Sequence, residues 1–418
     1  MRRALLLVAC LVAAATASLP SALAAHREAS TPAATPGVTQ SSIVIGGTFP
    51  LSGPASLYAP IPRGMEAYFN YINNRKGKDG KKGIHGRKIV WKYYDDAYNP
   101  AQTVQLTNKL VLEDKVFAIV GSLGTEHTQA TRPMLNQRKI PQLFVSTGAS
   151  YWGLQYKEFP WTIGWQPDYI AEGRAYGTWI KKNAPNSKIA VFFQNDDYGK
   201  DYLRGLKIGL GAKKSLIVSE LSYEITDASY GSQIARQKAS GADTWVLLTT
   251  PTPTVRAIAT AKALNWKPDT LVINSVSAID TVMAAAIARA GADFVNGAVS
   301  SAYLKSPSHP KYANDAQVKQ YRSLLGKYGP GNADPNNAFY YYGVAKAYDV
   351  VKLLNGLKTP TRPGLRNAAL HINWVNPFAI KGVKIKTSNT DHFPISQIKL
   401  IRYQDGHFNE FGPLIKGR

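Results

Sequence analysis

Cysteine is almost absent from this sequence. The single one, Cys10, lies in an apolar N-terminal segment, so the rest of the chain can form neither a disulfide nor a reactive thiol. Zinc sites built on cysteine are excluded for the same reason. The seven histidines show no paired spacing typical of metal ligands. We therefore expect no metal site.

Catalytic and nucleotide-binding motifs are missing as well. The sequence has no Gly-x-x-x-x-Gly-Lys-Ser/Thr phosphate loop, no complete Gly-x-Gly-x-x-Gly fingerprint and no Gly-x-Ser-x-Gly elbow. His127 is the only candidate base near the strand ends, and a polar residue in a first helical turn explains it more simply. The acid pairs Asp95-Asp96 and Asp196-Asp197 are typical of helix caps. We expect no catalytic residue, no cofactor and no enzyme activity.

Acidic residues are scarce. The chain has 27 Asp and Glu against 50 Lys and Arg, a formal net charge of +23. The basic residues are scattered, and the densest run, 76–88, has the composition of one loop. This distribution favours an anionic surface or an acidic ligand, and we expect no binding to nucleic acid.

The N-terminus has the pattern of an export signal. A short basic start precedes an apolar run of small residues (4–17), and an Ala-x-Ala site places cleavage after Ala24. The run is too short for a membrane-spanning helix and is followed by Pro20. Leu7-Val8-Ala9-Cys10 also resembles a lipoprotein cleavage box, so a lipid anchor at Cys10 remains an alternative.

Predicted strands and helices alternate in two successive halves, which is typical of parallel sheets covered by helices. In the first half we predict strands over 43–49, 88–94, 117–120 and 142–145 and helices over 64–73, 100–112 and 128–137. In the second half we predict strands over 188–193, 216–223, 244–248 and 270–274 and helices over 199–210, 229–240 and 253–264. Two more helices (315–328, 337–354) and a hairpin turning at 404–406 follow. The fold class is α/β.

Hydroxyl groups, glycines and aromatic rings follow the predicted strands. Ligands of open α/β sheets bind beyond the carboxyl ends of the strands. Small residues there let backbone N–H groups and helix N-termini face an anion, and Tyr and Trp supply flat apolar walls. Gly121-Ser122-Leu123-Gly124-Thr125 is the clearest case. It predicts a segment that holds a carboxylate without reacting with it.

Five segments jointly resemble a known family. They are GGTFPLSGPASLYAP (46–60), GIHGRKIVWKYYDDAYNPAQTVQLTNKLV (83–111), VFAIVGSLGTEHTQA (116–130), IPQLFVSTGAS (140–150) and NDDYGKDYLRGLK (195–207). In this order and spacing they resemble type I periplasmic solute-binding proteins of ABC importers, in the leucine/isoleucine/valine-binding branch. The likeness extends over residues 43–418.

The resemblance implies two doubly wound parallel-sheet lobes joined by a three-segment hinge, which close on a ligand and deliver it to a membrane permease. We expect a signal peptide (1–24), a flexible tether (25–41), an N-terminal lobe (42–162 plus 301–388) and a C-terminal lobe (163–300 plus 389–418). The expected location is periplasmic or cell-surface, and the expected state is a monomer.

The resemblance also implies site residues. Thr125 matches the position that grips the ligand carboxylate, Tyr198 matches the ring that covers the ligand from the second lobe, and Tyr58 matches an aromatic wall. The segment that assists at the carboxylate is Thr147, Gly148, Ala149 and Ser150.

One departure from the family concerns the ligand's amine. Amino-acid-binding members carry an acid after the strand that ends here at Asn274, where this chain has Ser275, and Thr250 stands where members often have tyrosine. Glu126 could replace the acid, but it belongs to the first lobe. An unpaired ammonium would cost several kcal/mol to bury. We therefore expect a small carboxylate, aromatic or another non-amino acid. The alternatives are a branched-chain amino-acid binder and a ligand-sensing module for a receptor.

Overall fold

A computed structural model describes residues 35–417. The predicted signal peptide, Cys10 and the first part of the predicted tether lie outside the described residues. Residues 35–41 lie beside the first strand, where the Val44 amide donates to the Gly37 carbonyl at 2.7 Å. Within 35–417, no helix is long and apolar enough to cross a membrane.

The first lobe is built on a parallel sheet of five strands in the order β2-β1-β3-β4-β5. Its interior strands are buried runs of apolar residues, as expected for a sheet covered on both faces. The elements are β1 (Ser42–Phe49), α1 (Pro60–Asn74), β2 (Lys88–Asp95), α2 (Pro100–Leu112), β3 (Ala118–Val120), α3 (Thr125–Gln137), β4 (Gln142–Leu143), α4 (Tyr151–Leu154) and β5 (Thr162–Ile163).

The second lobe repeats the alternation. Its first segment contains α5 (Tyr169–Asn183), β6 (Ile189–Gln194), α6 (Asp197–Leu210), β7 (Ile217–Tyr223), α7 (Gly231–Ala239), β8 (Thr244–Leu248), α8 (Pro251–Ala263), β9 (Thr270–Ile273), α9 (Asp280–Ala290), α10 (Ala292–Val295) and β10 (Val299–Ala302).

The chain then returns to the first lobe and crosses once more. The returning segment contains α11 (Ala316–Tyr328), α12 (Ala338–Asn355), α13 (Arg362–Ala369), β11 (Asn373–Trp374) and β12 (Ile385–Lys386), and the last crossing leads to β13 (Gln397–Gln404) and β14 (His407–Lys416). The second sheet has the order β14-β13-β10-β9-β8-β6-β7, with an antiparallel hairpin at one edge. Connections after β5, β10 and β12 join the lobes, which confirms the predicted two-lobed α/β fold.

Glycines bring α5 and α6 into close contact. A Cβ at Gly205 would lie 2.2 Å from the Ile170 carbonyl oxygen, and one at Gly209 would lie 2.2 Å from that of Arg174. Backbone approach at this distance requires residues without a side chain. The packing sets Tyr169 and Tyr198, at the starts of these helices, edge to face with ring centroids 5.1 Å apart.

Candidate functional site in the interlobe cavity

A cavity of about 150 Å³ lies between the two lobes. Side chains of both lobes and of the first hinge connection line it, and most of its surface is apolar or aromatic. It lies beyond the carboxyl ends of the parallel strands in both sheets, the position that open α/β sheets use for ligands.

Two threonine hydroxyls meet at the first-lobe wall. Gly124 takes a φ of 106° and caps α3 without a side chain, so Thr125 is the first residue of that helix. Its Oγ1 lies 2.6 Å from Oγ1 of Thr147, and both residues are buried. One hydrogen lies between the two oxygens, which leaves the other free for a ligand.

Tyr198 provides a donor from the second lobe. Nδ2 of Asn274 lies 2.9 Å from the Tyr198 hydroxyl, 3.2 Å from the Leu247 carbonyl and 2.9 Å from the Thr249 carbonyl. Carbonyls only accept, so the amide nitrogen must face this group, and it cannot accept from tyrosine. The Tyr198 hydroxyl therefore keeps its own hydrogen for the cavity. Burial raises the pKa of Tyr198, which keeps the hydroxyl protonated.

Tyr169 provides a third hydroxyl donor, which a glutamine of the first hinge connection orients. Gln166 lies in the first crossing, and its Nε2 donates to the Tyr169 hydroxyl at 2.9 Å. The Tyr342 hydroxyl on α12 donates to Oε1 of Gln166 at 2.9 Å. Because Tyr169 accepts from Gln166, its own hydrogen can be donated to Thr147 or to a ligand in the cavity, which both residues line.

Lys346 is bonded to Tyr342 in this series of hydrogen bonds, and the sequence does not predict that it belongs to the site. It is fully buried on α12, and its Nζ donates to the Ser146 hydroxyl and to the Tyr342 hydroxyl, the latter at 3.1 Å. Burial lowers the pKa of its ammonium well below the usual value. A signal exists in the sequence, because Lys346 is the only charged residue between Ala338 and Tyr348.

Thr250 and Ser275 line the cavity, but their polar groups are already bonded. The Ser275 hydroxyl donates to Oε2 of Glu172 at 2.9 Å, and its backbone N–H donates to Oε1 at 2.8 Å. The Thr250 hydroxyl lies 3.3 Å from Oε1 of Gln194 and 3.2 Å from the Tyr223 hydroxyl. Glu172 is an acid of the second lobe that sequence reasoning missed. It is buried behind Ser275, and burial raises its pKa.

The other predicted residues divide between the cavity wall and its surroundings. Tyr58 lines the cavity. Gly148, Ala149 and Ser150 are buried but are not among the lining residues. Glu126 is exposed and does not line the cavity either. Gly148 has a structural reason to be glycine, since a Cβ there would lie 2.1 Å from the Pro167 carbonyl oxygen.

The two lobes are in contact across the cleft through Ser150 and Asp201. Ser150 at the start of α4 donates its backbone N–H to Oδ2 of Asp201 at 2.7 Å and its hydroxyl to Oδ1 at 3.2 Å. Asp201 belongs to α6 of the second lobe. Burial raises the pKa of this carboxyl.

The carboxylates that line the cavity are both paired. Asp280 bonds to Nδ1 of His407 at 3.0 Å, and Glu410 bonds to Nζ of Lys311 at 2.9 Å. They lie at the end of the cavity formed by α9 and the β13–β14 hairpin. No unpaired acid therefore lines the cavity among the described residues.

The site has no visible catalytic constellation. His127 is buried, and the centroid of its ring lies 4.1 Å from that of Tyr98. Burial lowers the pKa of His127 to about 4, so the ring is neutral near pH 7. The described residues also contain no group of three His, Cys, Asp or Glu side chains that could hold a metal ion. The arrangement is suited to binding: hydroxyl donors face a largely apolar space.

Comparison with known proteins identifies the family. The family model described as periplasmic binding protein matches residues 42–407. The leucine-specific-binding protein of Salmonella typhimurium is 24% identical over 189 residues, which are 45% of this chain and 50% of that protein. The matched segment thus spans about half the length of this curated relative.

Solved structures show the same fold at low identity. A solute-binding protein from R. palustris in complex with 4-hydroxybenzoate has a TM-score of 0.72 at 19% identity, covering 90% of this chain and 97% of that one. A branched-chain amino acid ABC transporter protein from Thermus thermophilus with bound valine has a TM-score of 0.75 at 16% identity, covering 91% and 97%. With the family match over most of its length, this chain belongs to the periplasmic binding protein family.

Proposed function

We propose that this protein captures a small carboxylate that lacks a free amine, with a body about the size of one aromatic ring, and delivers it to an ABC importer. The observation that carries the proposal is the set of hydroxyl donors facing the cavity: one hydrogen of the Thr125–Thr147 pair, Tyr169 and Tyr198. Tyr198 keeps its hydrogen because Asn274 donates to it, and the Thr125, Thr147 and Tyr169 hydroxyls together keep at least one more.

Acceptors for an ammonium are poorly available in the same cavity. The acid nearest to the family's amine position, Glu172, already accepts from the backbone and side chain of Ser275 and from the Tyr176 hydroxyl. The lining acids Asp280 and Glu410 are paired with His407 and Lys311. Burying an ammonium against such groups would leave it short of acceptors, which costs several kcal/mol.

The size of the cavity favours a compact ligand. Cavities of about 150 Å³ in other proteins accommodate benzene, and this one has a similar volume, about 150 Å³. Its tyrosine walls provide flat apolar contact. The R. palustris protein that shares this fold holds 4-hydroxybenzoate, an acid of this size.

Capture and release fit a hinge mechanism. The three connections between the lobes permit closure around a ligand that touches both. We propose that the exported protein, with its predicted signal peptide removed, presents the closed complex to a membrane permease. Uptake of labelled 4-hydroxybenzoate by permease-containing vesicles should then require the added protein.

A panel of ligands tests the specificity. The refolded, ligand-stripped protein is heated with benzoate, 4-hydroxybenzoate, octanoate, leucine or valine, and the unfolding midpoint is recorded. A ligand at 100 times its dissociation constant stabilises the native state by about 2.7 kcal/mol, which raises the midpoint visibly. We expect a shift with an acid and none with the amino acids. A shift with leucine or valine alone would refute the proposal.

The second candidate is a branched-chain amino-acid-binding protein. It is favoured by the relatives named for leucine binding and by the valine-bound neighbour. It would require Glu172 to exchange its bond with the Ser275 hydroxyl for the ligand ammonium. Replacement of Glu172 by Gln separates the two candidates, because it should abolish leucine binding and leave the binding of 4-hydroxybenzoate largely unchanged.

A further inference from the structure

We propose that Lys346 supplies the positive charge for the ligand carboxylate and acts on it through the Tyr342–Gln166–Tyr169 hydrogen-bond chain. This inference rests on the proposed function, since it assigns a residue that selects acids. Lys346 does not itself line the cavity, but the hydroxyl groups that it contacts, on Ser146 and Tyr342, belong to lining residues. It is therefore a positioning residue that acts through these two hydroxyl groups.

The charge of Lys346 has no acidic partner. Within residues 35–417 no Asp or Glu oxygen lies within 4.0 Å of its Nζ. Its surroundings are instead the faces of Trp165 and Tyr342, at 5.0 Å and 4.5 Å from the ring centroids. Burial without a counter-ion favours the neutral amine of Lys346. An anion in the adjacent cavity would favour the protonated form, which then supplies the counter-charge.

The same lysine fixes the direction of the chain of hydrogen bonds. Protonated Lys346 can only donate, so the Tyr342 hydroxyl accepts from it and gives its own hydrogen to Oε1 of Gln166. The Gln166 amide is thereby oriented with Nε2 towards Tyr169. Tyr169 accepts from Gln166, and its own hydrogen can be donated to Thr147 or to a ligand in the cavity. Each bond in this series polarises the next, so the terminal O–H is a stronger donor to an anion.

A second series of hydrogen bonds from Lys346 also runs with each donor pointing away from the lysine. Nζ donates to the Ser146 hydroxyl, which donates to the Gly121 carbonyl at 2.6 Å. Gly121 begins the loop that carries Thr125. Both branches thus leave lysine as the donor and keep acceptor groups away from the cavity, which matches an anionic ligand and opposes a cationic one.

The test compares an acid with its neutral amide. Calorimetric titration measures the affinity of the wild type and of Lys346→Met for 4-hydroxybenzoate and 4-hydroxybenzamide. Methionine keeps the length and apolar stem of lysine but removes the charge. We expect Lys346→Met to lose at least about tenfold in affinity for the acid, as for a charged hydrogen bond, with little change for the amide. Lys352→Met, on the same helix, is the matched control and should leave the ratio unchanged.

The outcomes are distinct. Equal losses for acid and amide, or no loss for either, would overturn the role of Lys346 while leaving the proposed function in place. A wild type that binds no acid would overturn both. If Lys346→Met does not fold, Tyr342→Phe decides, because it breaks the chain without removing the charge. An acid-selective loss in that variant supports the role, and an unchanged ratio refutes it.

Discussion

The Thr125–Thr147 hydroxyl pair leads to a prediction about non-additivity. The two oxygens are 2.6 Å apart, so one of their two hydrogens is used within the pair and one remains for the ligand. Replacing Thr125 by Val removes one hydroxyl but releases the hydrogen of the other. Either single variant therefore still presents one donor from the pair, and only the double variant presents none from it.

The magnitudes follow from the donor count. A hydrogen bond to a charged acceptor contributes about 1.5–3 kcal/mol, so losing the last donor of the pair should weaken acid binding by about 10- to 150-fold. Each single variant should lose less than about twofold, since it changes the position of the donor and not its existence. The free-energy loss of the double variant should exceed the sum of the two single losses.

Calorimetric titration of 4-hydroxybenzoate into the wild type, Thr125→Val, Thr147→Val and the double variant measures this coupling. The second lobe offers a matched control, because Thr249 and Thr254 form a similar hydroxyl pair at 2.5 Å that does not line the cavity. Their valine variants should change stability and not affinity. Strictly additive losses at Thr125 and Thr147 would show that both hydroxyls donate to the ligand, and the argument from the shared hydrogen would fail.

Three further predictions concern closure, packing and pH. Asp201→Ala removes both hydrogen bonds to Ser150 and should cost about 1–2 kcal/mol of ligand affinity. Small-angle scattering should show a larger radius of gyration for this variant. An unchanged radius and affinity would contradict a role of Asp201 in closure. Gly148→Ala places a Cβ 2.1 Å from a carbonyl oxygen and should destabilise the fold by about 1–3 kcal/mol, whereas Gly331→Ala, with open space around it, should not. Burial lowers the pKa of His392 to about 4 from 6.5. The stability that neutral His392 contributes is complete above pH 6.5 and is lost progressively as the pH falls from 6.5 to about 4. In urea unfolding, His392→Asn should therefore lose up to about 3 kcal/mol less stability than the wild type between pH 7 and 4. Equal losses would contradict the shifted pKa.

Much of the fold and part of the candidate site could be predicted because apolar strands alternate with helices and are followed by hydroxyl residues, glycines and aromatic residues. The segments with Thr125 and Thr147 follow adjacent strands, β3 and β4, and their hydroxyls do meet. The sequence predicts that α3 begins at 128, and the helix begins at Thr125. Its cap is Gly124 with positive φ, so the usual Ser, Thr, Asp or Asn signal is missing.

The missed parts depend on tertiary packing. Helix α5 was not predicted, since Gly173 and Gly177 lower its helical propensity, yet close contact with α6 requires both. Lys346 could not be assigned to the site, because its burial depends on how α12 packs against the first lobe. Glu172 is similar: only the fold brings it to Ser275, 103 residues later in the chain.

On the proposed function, specificity and closure depend on the same hydrogen atoms. A carboxylate held by the Thr125–Thr147 pair in an open form would gain the Tyr198 hydroxyl of the second lobe only when the lobes close. One such donor, at about 1.5–3 kcal/mol, shifts the equilibrium towards the closed form by about 10- to 150-fold. An ammonium gains no comparable contact, because Ser275 is bonded to Glu172 and Tyr198 is left as a donor. A ligand without the carboxylate should therefore bind weakly and leave the lobes open, and a permease that recognises the closed form would not receive it.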